Sequence, residues 1–253
     1  MEVLAGFGGF WIDPETQAVG LDRPEAIAAA QFLVNTLETG ISPEAVLQSH
    51  ELSTLEGFLQ GDSAFLRNWP NAWSEINHPD SPIHGKVGAI PMQLRSEQAD
   101  VAKSQGRTAS GSWGLGINRQ SQHRKQALIA LNYFTSLPAQ YHFMKETSYL
   151  PAYRLLYQKA FPGETGFASL SNAIDPHQFS ETEAKALLLR AIEEAVQRPA
   201  LPPANAQAPS YITVSQILQK HLSFALASPR SSAKTTQAMQ AAALETRQAL
   251  EAD

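Results

Sequence analysis

The chain has 253 residues, 43% hydrophobic and 17% charged, with 19 basic against 24 acidic side chains and no cysteine. That composition argues against a disordered chain, and a net charge of −5 argues against nucleic acid as a partner, since phosphate binding needs a concentrated basic face. Without cysteine there are no disulfides, no thiolate metal sites and no cysteine nucleophile.

In chain order, the first eighteen residues read as a Gly-rich turn, a short aromatic patch and a second bend at Asp13-Pro14. A helix is predicted from Asp22 to Leu37, with Asp22 and Glu25 at capping-box spacing and Pro24 in the first turn. Ile27, Ala30, Val34 and Leu37 fall on one of its faces, and Gly40 ends it. Ser42-Pro43-Glu44 opens a short helix, and another runs from Leu52 to Leu59, closed by Gly61. Strands are predicted at Ser63–Asn68, Val87–Pro91 and Trp113–Ile117, with a helical turn around Trp73. The polar stretch 95–110 reads as a surface loop or a crossing between domains. Helices are predicted at 123–136, 138–147, 181–197, 211–227 and 232–251, with an extended Pro-rich segment at 199–209. Early strands mixed with helices, followed by a helix-rich second half, indicate an α/β or α+β class.

The common catalytic and cofactor signatures are missing. No serine carries a Gly-x-Ser-x-Gly elbow, and there is no phosphate loop. Gly111 to Gly116 does not match the dinucleotide fingerprint, so no cofactor is expected. The seven histidines show no zinc-helix spacing, and no metal is expected either. His78 and His84 read as turn residues around Pro79-Asp80-Ser81-Pro82, and Glu193-Glu194 as a solvated helix face. With no set of nucleophile, base and orienting group, the chain is not read as an enzyme.

The features that stand out are aromatic. Trp69 lies in Arg67-Asn68-Trp69-Pro70 and Trp113 in Gly111-Ser112-Trp113-Gly114. Each is either a core residue or an accessible indole plate of the kind that takes the apolar face of a sugar ring. Arg198, before Pro199, either complements a helix dipole or forks onto neighbouring hydroxyls.

Several segments, taken in order, resemble the C-terminal part of family 1 extracellular solute-binding proteins of ABC sugar importers, the trehalose/maltose α-glucoside type. They are Gly8-Gly9-Phe10-Trp11-Ile12-Asp13, Gly40-Ile41-Ser42-Pro43, Gly61-Asp62-Ser63-Ala64-Phe65 through Trp69-Pro70, and Gly85-Lys86-Val87-Gly88. Gly111-Ser112-Trp113-Gly114, Phe134-Thr135-Ser136-Leu137-Pro138, Tyr149-Leu150-Pro151 and Arg198-Pro199 complete the series. The resemblance implies a periplasmic-binding-protein-like (type II) two-lobe α/β fold that here lacks most of the N-terminal lobe. Residues 1–109 would be the first segment of the second lobe, 110–153 would return to the first, and 154–253 would supply helices mainly to the second.

It also implies ligand contacts from Trp69, Trp113 and Arg198, with Ser112 in place of the family's second glycine. Asn71 stands where relatives often carry tyrosine, so it becomes a hydrogen-bonding ligand candidate. The implied function is an α-glucoside or disaccharide binding subunit (trehalose, maltose) of an ABC importer, present as a partial chain. Its partners would be an oligosaccharide, the transmembrane permease subunits and a separately encoded N-terminal lobe. The location implied is periplasmic or cell-surface, although these 253 residues show neither a signal peptide nor the ~20 apolar residues of a membrane span. The alternative is a truncated or split product that keeps the fold and binds no sugar on its own. A sugar-processing enzyme on a related scaffold is a third, weaker reading.

Overall fold

The computed structural model describes residues 1–89, 114–153 and 211–252. They fall into two compact units, the first formed by 1–50 with 211–252 and the second by 51–89 with 114–153.

The first unit is a helical layer. Helix α1 spans Glu2–Gly6, where the sequence predicts a turn, because Glu2, Val3, Leu4 and Ala5 precede the first glycines and bury Leu4 and Ala5. Helix α2 spans Pro24–Glu38 and buries Ala26, Ala29, Ala30, Val34 and Leu37, the stripe expected of an amphipathic helix. The predicted capping box is absent: Arg23 occupies the N-cap with no side-chain cap bond. Asp22 instead accepts from Arg247 Nη2 at 2.7 Å, since a charge-assisted tertiary bond outcompetes a local cap. A 3-10 turn, Glu44–Gln48, follows Pro43, as Ser42-Pro43-Glu44 predicts.

Helices α7 (Tyr211–Leu226) and α8 (Ser232–Glu251) pack against α2 and against each other. On α8 the buried positions Thr235, Ala238, Met239, Ala242, Ala243 and Thr246 recur at steps of three, one and three. The small residues let α8 approach α2 and α7 closely. Trp11, Ile12, Val19 and Leu21 fill the same core. Ile12 and Val19 form an antiparallel bridge around the Asp13 bend, where Asp13 Oδ1 accepts from the backbone N–H groups of Glu15 and Thr16. Gly20 is required there, because a Cβ would lie 2.6 Å from the Phe10 carbonyl oxygen.

Ion pairs fasten this unit. Arg230 donates to both carboxylate oxygens of Glu44 at 2.7 Å, holding that carboxyl below its ordinary pKa. Glu245 on α8 accepts from Lys220 Nζ at 3.0 Å and faces the buried His221 of α7 at 3.0 Å. Lys220 first, then His221, holds the Glu245 carboxyl below the usual range.

In the second unit, α3 (Glu51–Leu59) and α4 (Ala72–Ile76) bury Leu55, Phe58, Ala72 and Ile76, with Leu66, Ile83 and Val87 against them. Gly61, at φ +85°, closes α3 as expected. Helices α5 (Arg124–Phe134) and α6 (Leu137–Thr147) meet at Thr135-Ser136, where Ser136 caps α6. The strands predicted at Ser63–Asn68, Val87–Pro91 and Trp113–Ile117 do not form over 63–68, 87–89 and 114–117, which are irregular backbone. A strand exists only with a ladder partner, and among the described residues none lies alongside these segments. The rest of the last two strands, the loop 95–110, the helix 181–197 and the Pro-rich segment 199–209 lie outside the described residues.

Candidate functional site

Trp69 is held on the surface of the second unit by its neighbour. Asn68 donates from Nδ2 to the Glu51 carbonyl at 3.0 Å, across to the start of α3. Its Oδ1 accepts from the Trp69 backbone N–H at 2.7 Å. The Ala72 N–H then donates to the Trp69 carbonyl at 3.0 Å, turning the chain into α4. Pro70 fixes one backbone angle inside this turn. The indole is therefore anchored through its backbone while its side chain stays 37% exposed, in contrast to Trp11 at 4% in the first core. Trp69 thus lies outside the second unit's buried cluster.

The Arg67 guanidinium carbon lies 5.3 Å from the Trp69 ring centroid. A cation over one face is attracted by the ring quadrupole. Asn71, the N-cap residue of α4, has helical backbone angles and makes no side-chain cap bond, so its carboxamide is not consumed by the helix. The structure thus brings Trp69 and Asn71 onto one turn. Trp113 and Arg198 lie outside the described residues, and so do Glu193 and Glu194. Asn68 and Arg67 were given no role by sequence reasoning. The legible signal was an Asn directly before a Trp-Pro turn, a residue type that bonds local backbone.

Chemically, this turn carries a partly exposed indole, a guanidinium over its ring and, two residues on, a neutral amide. That set suits a neutral ligand with an apolar face and a hydroxyl rim. It contains no carboxylate pair for acid–base work. His78 and His84 sit in exposed turns nearby in sequence, and His84 Nδ1 lies 2.9 Å from the Asn77 carbonyl. A concave surface elsewhere, lined by Arg119, Gln122, Arg124 and Lys125, is open and polar and carries no aromatic plate. Among the described residues no group of His, Asp and Glu side chains converges as a metal site would require, and no helix is long and apolar enough to cross a membrane.

No family model matches the chain. It is 29% identical over 160 residues to a probable ABC transporter-binding protein of Deinococcus radiodurans, a match covering 62% of this chain and 36% of that protein. Among solved structures it is similar to maltose-bound MalE3 of T. maritima, with 28% identity and a TM-score of 0.75, covering 97% of this chain and 55% of that one. An ABC transporter solute-binding protein of Thermotoga lettingae, bound to α-D-tagatose, is 19% identical with a TM-score of 0.73, covering 99% of this chain and 55% of that one. The fold is therefore part of a two-lobe periplasmic-binding-protein fold, and the chain spans little more than half the length of these structures. The proteins it resembles are binding proteins, not enzymes.

Proposed function

We propose that the chain is the sugar-contacting part of an ABC importer's binding subunit, taking an α-glucoside such as trehalose or maltose. The observation that carries this reading is the backbone-anchored, partly exposed Trp69 indole, two residues before an Asn71 amide that makes no cap bond, in a fold shared with a maltose-bound protein. In this reading Trp69 stacks on the apolar face of a glucose ring, a contact worth about 0.5–1.5 kcal/mol beyond burial. Asn71 meets a rim hydroxyl, replacing the aromatic contact that relatives make there. Trp113 and Arg198 supply a second plate and a forked donor, as the resemblance implies. The lobe assignment 1–109, 110–153 and 154–253 belongs to the same proposal. So do the periplasmic or cell-surface location, the transmembrane permease as partner and a separately encoded N-terminal lobe.

The test is calorimetric titration with maltose and trehalose, using the chain together with the N-terminal lobe that this reading supplies. Trp69→Ala should weaken affinity about ten-fold or more, on the order of 1.4 kcal/mol. Unchanged affinity in a folded variant removes Trp69 from the site.

A second reading is a split or truncated product that keeps the fold and binds no sugar alone. It is favoured by the matched share of the relatives, 55% of the T. maritima chain and 36% of the Deinococcus protein. The same titration, run on the isolated chain, separates the two.

A further inference from the structure

Residues 66 to 69 alternate between half-buried and exposed. Leu66 packs against the core of the second unit. Asn68 bonds the Glu51 carbonyl and the Trp69 N–H. The backbone is therefore held on both sides of Arg67, while the Arg67 and Trp69 side chains meet outside the core, with the guanidinium carbon 5.3 Å from the ring centroid.

Holding the backbone does not hold the indole. Both Asn68 bonds end on backbone atoms and leave the ring free to turn about its own side-chain bonds. A tryptophan outside a packed core has several staggered rotamers open to it. A ligand that stacks on such a ring must first stop that exchange, and the ordering costs affinity. Arg67 acts on the ring itself. Its guanidinium is planar and always charged, and the π face attracts it. A face covered by a guanidinium is also closed to a sugar ring.

We propose that Arg67 is a positioning residue for Trp69: it holds the indole in one rotamer with one face covered, so that a sugar ring stacks on the opposite face. Arg67 acts through Trp69 and touches no ligand in this arrangement. It accounts for a cation in a turn whose other groups suit a neutral ligand. The first unit supplies a contrast. Arg23 lies over the Phe10 ring at 4.8 Å, but that ring already packs against Gly20, so its orientation does not depend on the cation. At an exposed site a cation over a ring biases an equilibrium about two- to five-fold, and that is the contribution to sugar affinity expected of Arg67. The inference rests on the reading of Trp69 as a sugar contact.

The experiment uses the chain labelled with 5-fluorotryptophan and its fluorine spectrum, in which Trp69→Phe identifies the Trp69 signal among the four tryptophans. In Arg67→Met the Trp69 signal should move, and its difference between light and heavy water should grow as the covered face becomes wet. Arg67→Lys keeps the charge and should restore part of the wild-type position. The signal of Trp11, in the other core, and the thermal midpoint should not change. With the N-terminal lobe that the sugar reading supplies, maltose and trehalose should bind Arg67→Met about two- to five-fold more weakly than wild type, with Arg67→Lys between them. A Trp69 signal that stays in place in Arg67→Met, or that moves equally in both variants, overturns the inference. So does wild-type affinity in a variant whose Trp69 signal has moved. A lowered midpoint with all four signals displaced makes Arg67 a structural residue and overturns it as well. A Trp69 signal that responds as expected in a protein binding neither sugar leaves the hold on the indole standing and refutes the sugar reading instead.

Discussion

Two threonines on one helix test the energetic reasoning most sharply. Thr235 and Thr246 are both fully buried on α8. The Thr235 hydroxyl donates to the Ser231 carbonyl at 3.1 Å, one turn back, whereas Thr246 Oγ1 is buried without a hydrogen-bond partner. Threonine-to-valine keeps the β-branched shape, and the two residues have similar helix propensity, so the substitution isolates the hydroxyl. Thr235→Val loses one hydrogen bond, at a cost of about 1 kcal/mol. The Ser231 carbonyl keeps the Thr235 N–H at 3.0 Å, so no acceptor is orphaned and the loss should stay near that figure. Thr246→Val removes an unsatisfied buried hydroxyl and replaces it with a methyl group, a gain of about 1 kcal/mol. The two variants should thus differ by about 2 kcal/mol, roughly 30-fold in the unfolding equilibrium. Urea titration followed by far-ultraviolet circular dichroism reads this as midpoints shifting in opposite directions at constant slope. If Thr246→Val loses as much stability as Thr235→Val, the Thr246 hydroxyl has a partner and the argument from buried polar groups is wrong here.

Further outcomes follow from the same packing. Gly20→Ala should cost about 1–3 kcal/mol, because its Cβ would meet the Phe10 carbonyl at 2.6 Å and the Phe10 ring at 2.7 Å; a neutral change in the urea midpoint would mean the bend relaxes freely. The Glu245 carboxyl has its pKa lowered on folding, chiefly by Lys220 and then by His221. The stability it contributes is therefore present above its ordinary pKa of 4.5 and is lost as pH falls through the depressed value. Glu245→Gln should flatten the acid side of the stability curve, and a curve unaltered as the pH falls below 4.5 would contradict the assignment. Asn68→Ala should weaken maltose or trehalose binding in the completed protein by freeing the Trp69 turn, since both its bonds hold that backbone; affinity equal to wild type would show that Asn68 does not position Trp69.

Much of the helical framework follows from sequence because its signals are local. Pro24, the α2 stripe and Gly40, the Gly61 stop after α3, and the residues of α5 to α8 each carry start, face or stop information within a few positions. The Trp69 site was half legible in the same way. The helical turn predicted around Trp73 forms as α4, but whether the Trp69 indole faces a core or solvent depends on what packs beside it, and that is a tertiary fact. The three predicted strands show the opposite limit. Their residues permit extended backbone, but a strand is made by its partner, and chain segments such as Ser63–Asn68 have none among the described residues. Asp22 marks the boundary between the two kinds of information. Its spacing to Glu25 is that of a helix cap, while the folded chain brings Arg247, more than two hundred residues away, to its carboxylate. Sequence fixes which groups can bond, and only the fold decides which of the competing partners arrives.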